Sequence, residues 1–598
     1  MRTSIATVSL SGSLTEKLTA ASRAGFDGVE IFENDLLASP LTPEEIRGRC
    51  ADLGLTIDLY QPMRDIEAVP AGEFARNLRR ARRKFELMRR LGTDTVLVCS
   101  SVHPLAVDDD ALAAAQLTEL ADLASDFGIR VAYEALAWGR HVSTYDHAWR
   151  IVESAGHPAL GTCLDSFHIL SRGSDPKGVE DIPGEKIFFL QLADAPLLAM
   201  DVLQWSRHYR CFPGQGGFDI TDLVRRVLRT GYDGPLSLEV FNDVYRQADA
   251  GPTAVDAHRS LLVLEEAVGV RDLPAPVVPS GIAFAELVTP DAAPLSSLLG
   301  ALGFVRAARH RSKPVDLWQQ GEARLLVNTG PAGRRDGTVL AAIGLESPDP
   351  EGASHRAEAL LAPVLPRRRA TEDAPLDAVA APDGTELFFC ATDRPGRPNW
   401  RADFEDVPHD PSAGTVRRVD HLALVQPWHQ FDEAALFHRS VLGLHAQESV
   451  DVADPYGLMR SRAVTNADGT VRVALSVGAA PTDDTVHAQH IALATDDVVG
   501  AARRFREAGG RLLPMPANYY DDLAARFDLT DEELDAYRGL GILYDRDAHG
   551  EFRHCYTRTV GRVFFELVQR DAGYRGYGAQ NAPVRLAAQH AVNSVTGG

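Results

Sequence analysis

The sequence predicts an α/β protein in two parts, an N-terminal (β/α)8 barrel and a C-terminal α+β domain built from repeated βαβββ modules. Three observations predict this arrangement. Eight short β-rich runs alternate with longer amphipathic stretches in residues 1–270. A proline-rich linker without apolar periodicity follows at 271–281. In residues 282–598 the β-rich runs shorten and begin to repeat.

The number and spacing of the β-rich runs favour a closed barrel over an open sheet. Eight strands, each followed by a helical segment, in roughly 250 residues fit the size of a (β/α)8 barrel. A doubly wound sheet is the alternative, but no GxGxxG motif follows any of the runs. The eight runs are 4–9, 28–32, 56–60, 95–99, 130–134, 161–165, 187–192 and 235–240.

Composition excludes several classes of partner. The chain has 598 residues and a formal net charge of −22, so we expect no binding to nucleic acid, which requires clustered Lys and Arg. No stretch approaches the roughly 18 apolar residues of a membrane span. The six cysteines show no CxxC spacing, which is typical of reduced thiols in the cytoplasm. We therefore expect a cytoplasmic enzyme with a small-molecule substrate, and homo-oligomer formation stays open.

Four oxygen-bearing side chains end successive predicted strands of the barrel. Reacting groups lie at the C-terminal ends of the strands in this fold, so the four side chains should converge. A single strand-end carboxylate is more often a loop acid or a helix cap, but several buried carboxylates repel one another without a cation. An all-oxygen set suits Mg²⁺, Mn²⁺ or Co²⁺. The predicted metal ligands are Glu134, Asp165, Gln191 and Glu239.

His168 follows the predicted ligand Asp165 by three residues. A lone histidine is more often structural, but this one stands beside a metal-ligand motif at the catalytic face of the barrel. A near-neutral pKa would suit His168 to act as a general base and later as a general acid. We therefore predict that His168 is catalytic.

The barrel half contains four distinctive motifs: YEALAW at 133–138, CLDSFH at 163–168, QLADAP at 191–196 and GPLSLEVFN at 234–242. Together they resemble the sugar phosphate isomerase/epimerase superfamily, and within it the 3-dehydroshikimate dehydratase branch. The resemblance implies that the four predicted ligands bind the metal. It also implies a lyase reaction of quinate and shikimate catabolism, the dehydration of 3-dehydroshikimate to protocatechuate. Many superfamily relatives have a histidine in place of Gln191, whereas the branch fused to a dioxygenase-like domain shares the glutamine.

The implied substrate carries a carboxylate and hydroxyl groups, so cationic and hydroxyl donors should surround the barrel mouth. Tyr60 and Arg64 follow the third predicted strand, and Ser206 and Arg210 follow the seventh. Either arginine could hold the carboxylate by paired hydrogen bonds, and the sequence leaves the choice open. We predict Tyr60, Arg64 and Ser206 as substrate contacts and Arg210 as a catalytic residue.

A second metal centre is predicted in the C-terminal domain. His421 and His490 open corresponding strands of two modules, and Glu566 lies in the last strand. Two histidines and one carboxylate form the facial triad of non-haem Fe(II) oxygenases. This half of the chain also contains the motifs QHIAL at 489–493, PMPANYYDDL at 514–523, GILYD at 541–545 and GYG at 576–578. With these motifs it resembles 4-hydroxyphenylpyruvate dioxygenase, a member of the vicinal oxygen chelate fold, which implies a site for Fe²⁺ or Mg²⁺.

The substrate pocket of that second family is not preserved. ALSV at 474–477 stands where that family has a Pro-Leu-Asn-Glu run, and the family's glutamine-bearing segment is missing between Val477 and Gln489. His554 replaces a glutamine, and Ala582 replaces the phenylalanine of a C-terminal helix. A pocket that has lost its hydrogen-bonding partners binds its old substrate poorly. We expect metal binding without efficient oxygenation of 4-hydroxyphenylpyruvate.

Two other functions remain open at this point. The barrel and its metal would also serve a keto-sugar isomerase or epimerase, because that reaction passes through a similar enolate. Alternatively, the C-terminal domain could be a true 4-hydroxyphenylpyruvate dioxygenase.

Overall fold

The structure is a computed structural model, and it describes residues 1–330, 337–366, 370, 373–392, 399–412, 414–455, 457–478 and 488–596. The chain divides into two compact units, Met1–Leu273 and Pro274–Gly598. Among the helices of the described residues, none is long and apolar enough to cross a lipid bilayer.

The first unit is a closed barrel of parallel strands, which confirms the predicted fold class. Strand order follows the chain, and the eighth strand pairs with the first to close the barrel. The strands are β1 (Thr3–Ala6), β2 (Gly28–Phe32), β3 (Thr56–Met63), β4 (Thr95–Cys99), β5 (Arg130–Glu134), β6 (Leu160–Asp165), β7 (Ile187–Leu192) and β8 (Leu236–Leu238).

Helices follow the barrel strands, and local sequence signals define several of their ends. Capping boxes formed by Ser13 with Glu16 and by Thr42 with Glu45 begin the first and third helices. The helices are α1 (Leu14–Ala24), α2 (Glu33–Ala38), α3 (Pro43–Asp52), α4 (Ala71–Leu91), α5 (Asp110–Ser125), α6 (Tyr145–Ala155), α7 (Ser166–Ser171), α8 (Val202–His208), α9 (Ile220–Arg229) and α10 (Ala250–Val268).

The second unit contains two mixed, mainly antiparallel sheets, which agrees with the predicted α+β modules. The elements of the first sheet are β9 (Gly281–Val288), α11 (Ala292–Ala301), β10 (Val305–His310), β11 (Val315–Gln320), β12 (Ala323–Asn328), β13 (Val339–Glu346), α12 (Pro350–Ala359), β14 (Ala378–Ala380), β15 (Glu386–Cys390) and β16 (Phe404–Asp406). Its strand order is β14-β15-β13-β9-β12-β11-β10-β16.

The second sheet of this unit carries the predicted triad. The elements are β17 (Val416–Val425), α13 (Phe431–Leu442), β18 (His445–Ala446), β19 (Val450–Asp454), β20 (Gly457–Thr465), β21 (Arg472–Gly478), β22 (Gln489–Thr495), α14 (Val498–Glu507), α15 (Ala517–Arg526), α16 (Asp531–Leu540), β23 (Leu543–Arg546), β24 (Glu551–Tyr556), β25 (Val563–Asp571) and α17 (Ala582–Thr596). The strand order is β18-β20-β21-β17-β22-β25-β24-β23, and β19 pairs with β20. Because β17, β22 and β25 are neighbours, His421, His490 and Glu566 come from three adjacent strands.

Candidate metal centres

The structure buries the four predicted barrel ligands at the C-terminal ends of β5 to β8. Glu134 is 2% exposed, and its Oε1 has no hydrogen-bond partner among the described residues. Its other oxygen, Oε2, accepts a 3.4 Å bond from Cys99 Sγ. A buried carboxylate oxygen without a partner is costly. A divalent cation between these side chains would remove that cost, so the donor set fits such an ion.

The carboxylates of this group influence one another's ionisation. Burial, together with the negative charges of Asp165 and Glu239, raises the pKa of Glu134 well above its usual range. Burial likewise raises the pKa of Glu239 to about 7, although Arg210 opposes the shift. Burial also acts to raise the pKa of Asp165, but Arg210 and His168 outweigh it and the pKa of Asp165 falls. A bound cation would favour the ionised form of all three.

Arg210 lies between two of the predicted ligands. Its Nη1 donates to Asp165 Oδ2 at 2.8 Å and to Glu239 Oε2 at 3.1 Å. Ser206 Oγ accepts from Arg210 Nη2 at 2.8 Å, and the guanidinium stacks over the Phe167 ring at 4.6 Å. The Arg210 side chain is therefore already fully engaged with the protein.

A buried aspartate shapes the loop that carries Arg210. Asp194 accepts backbone N–H bonds from Gly214, Gly216 and Phe218. A Cβ atom at Gly216 would lie 2.3 Å from Asp194 Oδ1, so this close approach requires glycine. Asn242 Nδ2 also donates to the carbonyl oxygen of Arg210 at 2.7 Å. These bonds position the Arg210 backbone at the barrel mouth.

Glu30, which was not among the predicted site residues, is a further acid inside the barrel. It is fully buried on β2 and accepts from Gln191 Nε2 at 2.6 Å and from Gln61 Nε2 at 2.7 Å. Ser237 Oγ donates to its other oxygen. The amide nitrogen of Gln191 is thus committed to Glu30, which leaves Oε1 as the atom available to a cation. A buried glutamate within the predicted run 28–32 was the signal that could have revealed it.

His168 lies beside the predicted ligands, in the short helix α7 that Asp165 caps. Its Nε2 is 3.9 Å from both Glu134 Oε1 and Asp165 Oδ2. Its Nδ1 accepts a 3.1 Å bond from the Ala137 backbone N–H, and its Nε2 lies 3.3 Å from Arg210 Nη2. The Ala137 contact is the shorter of the two, so a neutral ring carries its proton on Nε2. Burial lowers the pKa of His168 to about 3, which differs from the near-neutral pKa that we expected. In this geometry His168 is a hydrogen-bond donor towards the barrel mouth.

The predicted substrate contacts do not all lie near the predicted barrel ligands. Arg64 is half-buried, and its positive charge acts on Glu239 and His168, yet it makes no hydrogen bond or ion pair within the described part of the chain. Tyr60 is not brought to this group, because alternation along β3 sends Gln61 into the barrel and Tyr60 outward. The Tyr60 hydroxyl instead lies 3.1 Å from Lys84 Nζ of α4. Ser206 contacts Arg210.

The second centre is compact. His421 Nε2 and His490 Nε2 lie 3.1 and 3.2 Å from Glu566 Oε2, and 3.4 Å from each other. Ligands that share one face of an octahedral ion, with bonds of about 2.1 Å, are themselves about 3 Å apart. The three buried atoms therefore have the spacing of a facial triad.

Further side chains orient this triad. His421 Nδ1 lies 2.8 Å from Asp420 Oδ1, and Arg570 holds Asp420 through Nε and Nη2 at 2.9 to 3.0 Å. His554 Nδ1 contacts Glu566 Oε1 at 2.6 Å. A carboxylate on the distal nitrogen of a histidine fixes the tautomer that leaves Nε2 free to bind a metal.

The changed pocket residues face the triad. Ala474 and Ser476 are on β21, and the strand register places them on the same face of the sheet as His421. Ser476 Oγ donates to Ser461 Oγ at 3.0 Å. Of the stretch between Val477 and Gln489, residues 479–487 lie outside the described residues.

A third group of possible ligands is satisfied by the protein itself. His310, Asp373 and Asp403 bring ligand atoms within 4.8 Å of one another. Asp403 accepts from the backbone N–H of Ala374, and Asp373 accepts from that of Ala370. Lys313 and Arg311 supply positive charge. This group has the bonding of a structural cluster.

Family models match both halves of the chain. Residues 18–264 match the family model of xylose isomerase-like TIM barrels. Residues 274–342 match the N-terminal hydroxyphenylpyruvate dioxygenase model. Residues 418–536 match the glyoxalase/bleomycin resistance protein/dioxygenase superfamily. These matches support the resemblances found in the sequence.

Similarity to known proteins also extends over the whole chain. Two proteins named 3-dehydroshikimate dehydratase, from Pseudomonas aeruginosa and Pseudomonas putida, are 47% and 45% identical over 98% of this chain and 98% of each relative. A solved xylose isomerase-like TIM barrel/4-hydroxyphenylpyruvate dioxygenase fusion protein is 44% identical, with 99% of both chains covered and a TM-score of 0.90. The resemblance stated from the sequence is thereby confirmed.

Proposed function

This chain belongs to the family of 3-dehydroshikimate dehydratases, and on that premise we propose that its barrel mouth converts 3-dehydroshikimate to protocatechuate with a divalent metal ion. Full-length similarity supports the hydro-lyase reaction. The observation that carries the site is the buried, unpartnered Glu134 Oε1 at the strand ends where the other predicted ligands converge.

We assign the metal to Glu134, Asp165, Gln191 and Glu239. A bound divalent ion stabilises the negative charge that grows on a ketone oxygen when the neighbouring carbon loses a proton. Mg²⁺, Mn²⁺ and Co²⁺ all suit this oxygen-rich donor set. Glu30 fixes the amide orientation of Gln191, and Arg210 fixes Asp165 and Glu239.

The remaining side chains bind and polarise the substrate. Arg64, whose guanidinium has no partner in the described part of the chain, pairs with the substrate carboxylate. His168 donates a hydrogen bond from Nε2 to a substrate oxygen, because Ala137 holds its Nδ1. Loss of one proton and one hydroxide as water leaves a ring that aromatises, which drives the reaction forward.

One assay tests this function. Purified full-length protein, a divalent metal and 3-dehydroshikimate should yield the ultraviolet absorbance of protocatechuate. Glu134→Ala should abolish the absorbance, whereas Glu566→Ala should retain most of it. The opposite pattern would move the chemistry to the second unit, and no product with wild-type protein would defeat the proposal. A keto-sugar isomerase would produce no aromatic absorbance.

For the second unit, we propose that His421, His490 and Glu566 bind a divalent ion, Fe²⁺ or Mg²⁺. Their 3.1 to 3.4 Å separations support this. Ser476 in place of an asparagine supports weak recognition of 4-hydroxyphenylpyruvate. Rapid oxygen uptake with that substrate and Fe²⁺, lost in His421→Ala, would show instead that the second unit is a working dioxygenase.

A further inference from the structure

Arg585 is a nearly buried cation without a counter-charge. It lies on α17 and is 8% exposed. Its one hydrogen bond within the described residues goes from Nη1 to Gln589 Oε1, at 2.6 Å. No carboxylate of the described residues lies within ion-pair distance of it. A guanidinium has five N–H donors, so Arg585 retains unused donors in a desolvated setting.

Two aromatic rings connect Arg585 to the second metal centre. Its Cζ lies 5.7 Å from the ring centroids of both Phe564 and Tyr556. The Phe564 ring is in turn 4.9 Å from the His490 ring, and Tyr556 pairs with the ligand Glu566 in the strand register. The Phe564 ring thus contacts both the Arg585 guanidinium and the ring of His490.

This arrangement has three parts that a single ligand could satisfy. The unpaired guanidinium favours a carboxylate, which it can bind through two parallel hydrogen bonds. The rings of Phe564 and Tyr556 favour an aromatic body. A hard divalent ion on His421, His490 and Glu566 would favour two neighbouring oxygen donors.

We propose that this pocket of the second unit binds a dihydroxybenzoate, with its carboxylate on Arg585, its ring against Phe564 and Tyr556, and its adjacent hydroxyls towards the triad. A benzoate ring lying against Phe564 could span the same distance as that ring, because one aromatic ring separates the carboxylate from the hydroxyl pair. An aliphatic acid of the same length would leave the two aromatic walls without a partner.

The product of the proposed dehydration, protocatechuate, is such a dihydroxybenzoate. The second unit would therefore be a product-binding site. Its metal end rests on the proposed ion at the triad, and its link to the product rests on the proposed dehydration. If the barrel failed to dehydrate 3-dehydroshikimate but Arg585 still governed dihydroxybenzoate binding, the pocket would stand and only its connection to the product would fall.

Calorimetric titration of the full-length protein tests the pocket. The background variant Glu134→Gln weakens binding at the barrel, and Mg²⁺ is present throughout. We expect 3,4-dihydroxybenzoate to bind at one site, and Arg585→Gln to weaken it about ten- to hundredfold, as for the loss of a buried charge-assisted bond. Catechol, which has no carboxylate, should bind equally to both proteins, and benzoate should bind more weakly than the dihydroxy acid.

Arg462→Gln is the matched control, since Arg462 also stacks on a phenylalanine, Phe431, at 5.5 Å. It should leave the affinity unchanged. Metal affinity at the triad, measured in the same proteins, shows whether Arg585→Gln has disturbed the fold. No binding in the Glu134→Gln background, or equal binding with and without Arg585, would overturn the proposal.

Discussion

Glu30 on β2 and Gln191 on β7 are joined across the inside of the barrel by a 2.6 Å hydrogen bond, which Gln191 Nε2 donates. Burial raises the pKa of Glu30 well above its usual range, and the charge of Glu239 adds to the shift. The bond still forms because either protonation state retains an oxygen that can accept. The bond fixes the orientation of the Gln191 amide, so that its oxygen rather than its NH₂ group is available to a metal.

Glu30→Ala should therefore weaken metal binding at the barrel about ten- to hundredfold, the usual effect of losing a group that orients a ligand. Gln191 would then be free to present its NH₂ group. Glu30→Gln should retain much of the affinity, since an amide oxygen can accept the same bond. Metal titration in a Glu566→Ala background isolates the barrel site. Equal affinities for Glu30→Ala and the wild type would contradict this role.

Arg64 should act on substrate binding alone. Its guanidinium makes no hydrogen bond or ion pair within the described residues, so Arg64→Gln breaks neither. We expect KM for 3-dehydroshikimate to rise about ten- to hundredfold, with a smaller change in kcat and no change in melting temperature. Steady-state kinetics and thermal unfolding provide the readouts. An unchanged KM would show that another group holds the carboxylate.

Arg210 should stabilise the folded barrel by pairing with the buried carboxylates of the site. Arg210→Met leaves Asp165 and Glu239 buried without their shared cation, which costs about 3–5 kcal/mol of unfolding free energy. Divalent metal should restore more stability to this variant than to the wild type, because the ion supplies the missing charge. Thermal unfolding with and without Mg²⁺ measures the difference. Equal metal-dependent shifts in the two proteins would argue against the pairing.

The barrel, and the positions of Glu134 and Asp165 at its strand ends, could be predicted because strand ends are visible in the sequence. Glu134 and Asp165 close runs of apolar residues, and parallel strands bring such ends to one face. Tyr60 was misplaced because the predicted strand ended there, whereas β3 continues to Met63 and alternation turns Tyr60 away from the mouth. Successive side chains of a strand point to opposite faces, so placing Gln61 inside the barrel would have placed Tyr60 outside it.

Other parts of the sites depend on contacts that no local pattern encodes. The His168 tautomer follows from the backbone N–H of Ala137, 31 residues away. The choice between Arg64 and Arg210 depends on which guanidinium the fold already occupies. Arg585 stands out only when α17 is placed against Phe564 and Tyr556 of the sheet. Each is a long-range relationship, so the sequence could supply the residues but not the pairing.

His168 should work as a hydrogen-bond donor. His168→Ala should lower kcat about 10²- to 10⁴-fold, the range for a group that assists proton transfer or bond cleavage. His168→Gln should retain more activity, since its amide N–H can replace Nε2–H. The pH profile of kcat/KM should keep its shape in the glutamine variant. If His168 were instead the titrating base, that variant would lose the acidic limb of the profile.

Glu67 should make the stability of the first unit depend on pH. Burial raises its pKa from 4.5 to about 7, although its Oε1 accepts from Ser101 N–H at 2.6 Å and its Oε2 has no partner among the described residues. The folded state therefore retains a proton that the unfolded chain releases, so stability falls as pH rises from about 4.5 to 7, by at most about 3 kcal/mol. Glu67→Gln should flatten this part of the curve, as measured by urea unfolding of the barrel transition between pH 5 and 8. Glu153→Gln, at an exposed helical position, is the control and should follow the wild type. Parallel curves for Glu67→Gln and the wild type would show that Glu67 is already ionised in the folded protein at pH 5.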